Sequence, residues 1–329
     1  MTETSTTLNS QFQIISDLHL EAPIQTHSYS YFSTPANFPL LASNLFLLGD
    51  IGLVSHSEPL LTFLRSLLSR DNKLKIFYIM GNHEPYHMTL ENAVEKMEQW
   101  EEMLDVEFGQ RFYFLDRRRV DFDVNTTILG CTLWTNVPDE HAREVGRTLK
   151  DLSNENGIWN RSLDDHNADH RRDLTWLNEQ IETIREEEPE REVVVLTHHS
   201  PTTDPRANDT RFPPERSLNS GFRTDLSKEA CWTSPNVKLW GFGHTHFSCQ
   251  LIDEGVGRRK LVVANQKGYA KPEGNGNWEV TSVVIGRVEG VWKVIVGERT
   301  VSDKKDERAN VDQARNMSEG YCTARRIVS

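Results

Sequence analysis

Short apolar runs rich in β-branched and aromatic residues recur along the chain, at Gln11–Ile15, Asn44–Leu48, Leu74–Met80, Thr126–Cys131, Glu192–Leu196 and Val237–Phe242. Their length and composition predict buried strands. Between several of them lie stretches with helical spacing, Glu58–Ser69, Leu90–Leu104 and Asp169–Arg185, the last with Leu174, Leu177, Ile181 and Ile184 on one face. Strand and helix therefore alternate, the signature of an α/β fold. After Phe242 strand follows strand, with Ser248–Asp253, Lys260–Ala264, Trp278–Ile285 and Val291–Gly297 separated by Gly-containing turns, so the end of the chain is expected to pair antiparallel. No repeat of fixed period interrupts this pattern, and a single domain of two packed sheets over residues 11–301 is the simplest account. Residues 1–10 are expected to be flexible, and the charge-rich tail 302–329 disordered. Pro201–Phe222 has little periodicity, and an irregular segment of that length is more often functional than passive.

Composition narrows the class. With 329 residues, 37% hydrophobic and 26% charged, the chain has the make-up of a folded soluble protein with room for a sizeable core. Its 37 Lys and Arg against 49 Asp and Glu give a net charge of -12, so no overall field holds a long nucleic acid. Any affinity for phosphate must be built locally. Cys131, Cys231, Cys249 and Cys322 show no CxxC spacing, which excludes the common zinc-finger and redox motifs and leaves reduced thiols as the expectation. Residues 1–10 lack the basic and apolar segments of a secretory signal, and no apolar run approaches the ~20 residues that cross a bilayer. A cytoplasmic protein without a membrane partner is expected.

The chemistry lies at the strand ends. Ser16-Asp17-Leu18-His19, Gly49-Asp50, Gly81-Asn82-His83-Glu84, Thr197-His198-His199 and Gly243-His244-Thr245-His246 each follow directly on an apolar run. In α/β sheets the carboxyl ends of neighbouring strands converge on one crevice, so these clusters aim at one place. Asp, Asn and His are the oxygen and nitrogen donors that borderline divalent cations prefer, and no thiol joins them. Asp17 and His19 are two residues apart, as are His244 and His246, so each pair shares a face of an extended segment. Asp50 stands alone after its strand, and a lone carboxylate with two oxygens is the natural bridge between two ions. DxH, GD and HxH are common and weak signals by themselves, whereas GNHE is more specific, since Gly81 frees the backbone to turn sharply and present Asn82 and His83 side by side. The joint occurrence, in order and each at a strand end, is specific.

Together, Asp17-x-His19, Gly49-Asp50, Gly81-Asn82-His83-Glu84, His198 and Gly243-His244-x-His246 resemble the calcineurin-like metallophosphoesterase superfamily, over residues 12 to about 265. The resemblance implies a four-layer αββα sandwich, two mixed sheets flanked by helices, with a two-metal site at one edge. It implies Asp17, His19 and His246 on one ion, Asn82, His198 and His244 on the other, and Asp50 between them. It further implies that His83 binds no metal and faces the leaving-group oxygen as general acid. The expected activity is hydrolysis of phosphate esters, as a phosphodiesterase or phosphomonoesterase, by a metal-held hydroxide. The cofactors are two divalent ions; the donor set suits Mn, Fe, Zn, Co or Ni, with Mn, Fe and Zn placed first. The partner is then a small phosphorylated substrate rather than a membrane or a long nucleic acid.

Other features bound this reading. Of the two adjacent histidines His198 is preferred as ligand, because it comes directly after the apolar run; His199 is left as a packed loop side chain or a substrate contact. His27, His56, His87, His141, His166 and His170 are expected on the surface or in loops, with only His87 close enough to GNHE to be a candidate for the crevice. The segment Gly49-Asp50-Ile51-Gly52-Leu53-Val54 departs from the GDxVDRG of protein Ser/Thr phosphatases, so their substrate-binding Arg is missing. Arg206, Arg211, Arg216 and Arg223 either offer forked donors to a phosphate oxygen or are solvated loop charges. Two competing functions stay open: a non-catalytic scaffold of the same fold that binds a partner protein, and a nuclease acting on short ends.

Overall fold

Along each central strand, alternate side chains serve two different cores. In the computed structural model, which describes residues 11–22, 28–213, 215–269 and 283–297, β1 (Gln11–Ile15), β2 (Asn44–Leu48) and β3 (Lys75–Ile79) turn Phe12, Ile14, Phe46, Leu48, Phe77 and Ile79 inward. Their alternates Ile15, Leu45, Leu47, Ile76 and Tyr78 face a helical layer. That layer is formed by α1 (Tyr29–Phe32), α2 (Ser57–Arg70) and α3 (Leu90–Phe108), which contribute Phe32, Leu64, Leu67, Met97 and Trp100. Because both faces are covered, the strands read as unbroken apolar runs instead of alternating ones.

The second sheet is built the same way. Val194 and Leu196 of β7 (Glu192–Thr197) and Leu239 of β8 (Val237–Phe242) enter the core between the sheets, while Val193, Val195, Trp240 and Phe242 pack outward. The outer cover is α5 (Leu163–Glu187) and the short α6 (Ala230–Thr233), through Leu177, Ile181, Ile184, Cys231 and Trp232. Counting β4 (Phe112–Phe114), β5 (Arg118–Asp121), β6 (Thr126–Cys131), β9 (Cys249–Gly255), β10 (Arg258–Ala264), β11 (Val283–Val288) and β12 (Val291–Val296), each sheet has six strands among the described residues. Their orders are β12-β11-β1-β2-β3-β4 and β5-β6-β7-β8-β10-β9. Strands β1 to β4 run parallel, as do β6, β7, β8 and β10. The antiparallel partners are β5, β9, β11 and β12. The architecture is the expected αββα sandwich of two mixed sheets.

Six of the described strands and α-helices depart from the periodicity reading. Strands β4 and β5 and the four-residue helices α1 and α6 are too short to show as runs. The helix α4 (Asp139–Thr148) buries little beyond Val145 and so carries almost no apolar stripe. The helix α5 starts at Leu163, ahead of the expected Asp169, with Ser162 and Asp165 forming a reciprocal capping box. Its first turns hide because their buried face is polar: His166 meets Thr135 Oγ1 at 2.9 Å, Asp169 pairs with Arg161 at 2.7 Å, and Asp173 pairs with Arg117 at 2.7 Å. His166 and His170 are therefore buried, correcting the surface expectation. Part of the expected strand Trp278–Ile285, the segments 1–10 and 302–329, the boundary at 301 and His27 lie outside the described residues. No helix among the described residues is long and apolar enough to cross a membrane.

Candidate metal centre

The carboxyl ends of β1, β2, β3, β7 and β8 bring all seven candidate ligands together, and the backbone is bent to do so. Asp17, His19, Asp50, His244 and His246 all adopt positive φ, between 48° and 68°. Such values are uncommon for residues with a side chain and mark turns whose conformation is imposed by their surroundings. Gly49, at φ 83°, and Gly81 let the turns after β2 and β3 approach each other and His198 closely: a Cβ on Gly49 would strike His198, and one on Gly81 would strike Asp50.

The donors fall into two groups joined by Asp50. Asp17 Oδ1 lies 3.4 Å from His246 Nε2, and His246 Nε2 lies 3.0 Å from His19 Nε2. On the other side His198 Nε2 is 3.0 Å from Asn82 Oδ1 and 3.2 Å from His244 Nδ1. Asp50 directs Oδ1 to His198 Nε2 at 3.4 Å and Oδ2 to His19 Nε2 at 3.8 Å. Ligand-capable atoms of Asp17, His19 and His246, and likewise of Asp50, His198 and His244, all lie within 4.8 Å of one another. His19, Asp50 and His83 form a third such group.

Outer contacts fix which ring atoms face inward. His198 Nδ1 sits 2.8 Å from the Leu48 carbonyl, which can only accept, so Nδ1 keeps its proton in either charge state and Nε2 is the atom left to face an ion. His19 Nδ1 is held in the same sense by Glu21 Oε1 at 3.1 Å. Asn82 donates its amide to Asp151 Oδ1 at 2.8 Å, a carboxylate that also accepts from Tyr86 at 2.5 Å, and this turns Asn82 Oδ1 to the donor group. Such oriented, deprotonatable N and O donors fit divalent ions. Asp151→Ala should leave the amide free to turn its nitrogen inward. A roughly 10- to 100-fold loss of metal affinity, read by metal titration, is expected.

Charge in the cluster points the same way. Burial alone would raise the Asp50 carboxyl, but His198 and His83 hold it well below its ordinary value. Burial opposes a charge on His198, yet Asp50 and then Asp17 raise it to about 10. Burial and the neighbouring His198 push His244 down to about 3. The two aspartates thus gather positive charge onto a histidine between them, the place where a divalent ion would displace a proton.

His83 lies at the same mouth, with Nδ1 3.0 Å from Glu21 Oε1 and Nε2 3.9 Å from Asp50 Oδ2, and its ring stacks on Tyr86. Burial would lower it, but Asp50 and Glu21 raise it to about 9, so its proton is held through neutral pH. Glu84, the last residue of the GNHE cluster, accepts the backbone N–H groups of Asp50, Ile51 and Gly81 at 2.8 to 2.9 Å and the Tyr78 hydroxyl at 2.8 Å. It ties the turns after β2 and β3 into one rigid piece.

The remaining sequence candidates stand apart. His199 belongs to none of the donor groups and packs behind them, with its ring 4.1 Å from that of His244 and 5.2 Å from that of Trp134; burial holds it well below its ordinary value, hence neutral. His87 is exposed and belongs to neither donor group. Arg206 and Arg211 fold onto Asp204 and Asp209 two residues back, Arg216 lies over Phe212, and Arg223 donates to Asn208 at 2.6 Å. Glu21, Asp151 and Tyr269 are site residues that the motif reading did not single out. Tyr269 obeys the same rule as the others, a polar cluster directly after an apolar strand, here Gln266-Lys267-Gly268-Tyr269 after β10.

A fold of this kind with this donor set defines a metallophosphoesterase-like protein. Residues 11–248 match the calcineurin-like phosphoesterase family model, and the chain belongs to that family. It is 26% identical over 278 residues to an uncharacterized protein of Acanthamoeba polyphaga mimivirus, covering 80% of this chain and 92% of the relative. One solved crystal structure aligns with a TM-score of 0.47 and 10% identity, over 88% of this chain and 99% of the other.

Proposed function

We propose that the protein is a metal-dependent hydrolase of phosphate esters, a phosphodiesterase or phosphomonoesterase, acting at a dinuclear centre. Asp17, His19 and His246 would hold one ion, Asn82, His198 and His244 the other, and Asp50 both, with Mn, Fe or Zn as the ions. The observation that carries the reading is Asp50, whose two oxygens face the two donor groups separately. Divalent ions bound in such a site neutralise phosphate oxygens and lower the pKa of water to near neutrality.

The chain's own residues supply the rest. The carbonyl of Leu48 and the carboxylate of Glu21 keep His198 and His19 in the tautomer that points Nε2 at the centre. Asp151 keeps the Asn82 oxygen inward. Asp50 and Glu21, against burial, favour the protonated ring of His83, and its place beside Asp50 is the position from which a general acid serves a departing alkoxide. The net charge of -12 favours a small phosphorylated substrate over a long nucleic acid, and the buried unpaired thiols Cys131 and Cys231 suit a reducing compartment, the cytoplasm.

The test is a panel of phosphomonoesters, linear diesters and cyclic nucleotides, offered to protein loaded in turn with Mn, Fe or Zn. Turnover of at least one class, lost on chelation and restored by the ion, is the expected result. Metal-replete protein that hydrolyses none of them would overturn the reading and leave a non-catalytic scaffold.

A further inference from the structure

Tyr269 stands outside the donor set, yet it touches three of the site's histidines. Its ring stacks on His19 with centroids 4.3 Å apart and planes at 23°, and it meets His246 edge-on at 4.9 Å. Its hydroxyl lies 3.2 Å from His83 Nε2. The backbone leading to it is anchored to the Asp17–His19 turn. Ser16 bridges to Gln266, the Gly268 N–H donates to the Asp17 carbonyl at 3.0 Å, and Lys267 Nζ donates to the Leu18 carbonyl at 2.8 Å. Position is therefore dictated from below, while the residue itself remains 49% exposed.

Two consequences follow from this placement. One face of the phenol is backed by an imidazole and the residue is half open to solvent, which makes it a platform on which a further flat ring stacks. The hydroxyl occupies a point within hydrogen-bond reach of His83 Nε2, where the leaving oxygen must come in the reaction proposed above. A leaving group that takes over that point from the hydroxyl has to run along the Tyr269 ring.

We propose that Tyr269 is the substrate-contacting residue for the leaving side of the ester, and that the preferred ester carries a planar aromatic group, aryl or nucleoside, next to the scissile oxygen. The proposal rests on the reading of His83 as the acid, but it is tested by binding, which needs no turnover. The metal-loaded full chain is titrated calorimetrically with phenylphosphonate, adenosine monophosphate, methylphosphonate and inorganic phosphate. Wild type should bind at least one aromatic probe roughly 3- to 10-fold more tightly than methylphosphonate, the range a single stacked pair provides. Which of phenylphosphonate and adenosine monophosphate gains shows whether an aryl group or a nucleoside is the fit.

Tyr269→Ala, titrated at saturating metal, should erase the preference for aromatic over methyl probes, a ratio that a general weakening of the site leaves in place. Tyr269→Phe, which keeps the ring, should retain it. The proposal is overturned if wild type shows no aromatic preference, if the preference survives Tyr269→Ala, or if Tyr269→Phe loses it as fully as the alanine variant. Failure of the hydrolase reading looks different: no ester is turned over although the aromatic preference and its dependence on Tyr269 persist.

Discussion

Asp50→Asn is expected to empty at least one ion position and to reduce hydrolysis by more than the roughly 10- to 100-fold that loss of an outer partner of a metal ligand costs. The carboxylate is buried, which alone would raise it, yet His198 and His83 hold it well below its ordinary value, so it is ionised at neutral pH. An amide has one acceptor where the carboxylate has two. Whichever way it turns, an N–H group faces either the His19 side or the His198 side, and the charge that both sides share is gone. Backbone strain does not confuse the result, because Asp50 sits at φ 52° and Asn tolerates that left-handed conformation as well as Asp does. His87→Asn is the matched control: His87 also has positive φ, 67°, but is exposed and outside both donor groups. Metal content and turnover should collapse in the first variant and hold in the second. Similar, mild effects from both would sink the assignment of Asp50 as the bridge.

The legible part of this molecule is the part buried on both faces. Strands β1, β2, β3, β6, β7 and β8 stand out as unbroken apolar runs because each serves two cores, and the donors stand out because a polar residue directly after such a run has nowhere to go but the sheet edge. What stayed hidden lacks that contrast. Asp151 is one acid in a polar stretch between α4 and α5, and its role exists only because Tyr86 and Asn82 reach it from another part of the chain. Glu21 reads as a surface acid two residues past His19; in the fold one of its oxygens faces both His19 and His83. The first turns of α5 bury His166, Asp169 and Asp173 against specific partners, which defeats a search for apolar periodicity. Long-range pairing, not local composition, decides these positions.

His83→Asn is expected to keep both metals yet slow esters with poor alkoxide leaving groups by about 10²- to 10⁴-fold, the usual contribution of a positioned acid. Aryl esters with activated leaving groups should lose much less, because a nitrophenolate departs without needing a proton. The structure sharpens the comparison. His83 has the two attributes of an acid, a proton held through neutral pH by Asp50 and Glu21 and a ring fixed by stacking on Tyr86. It also lies near enough to His19 and Asp50 to count among ligand-capable groups. The two roles separate cleanly in the variant. Loss of a ligand removes an ion and damages every substrate alike, whereas loss of an acid leaves the ions and penalises substrates in proportion to the basicity of what departs. His199 offers no substitute acid, since it is buried, neutral and packed among His244, Trp134 and His166. A His83→Asn protein that loses metal, or that slows good and poor leaving groups equally, would move His83 from proton donor to ligand and leave the departing alkoxide to be protonated by solvent.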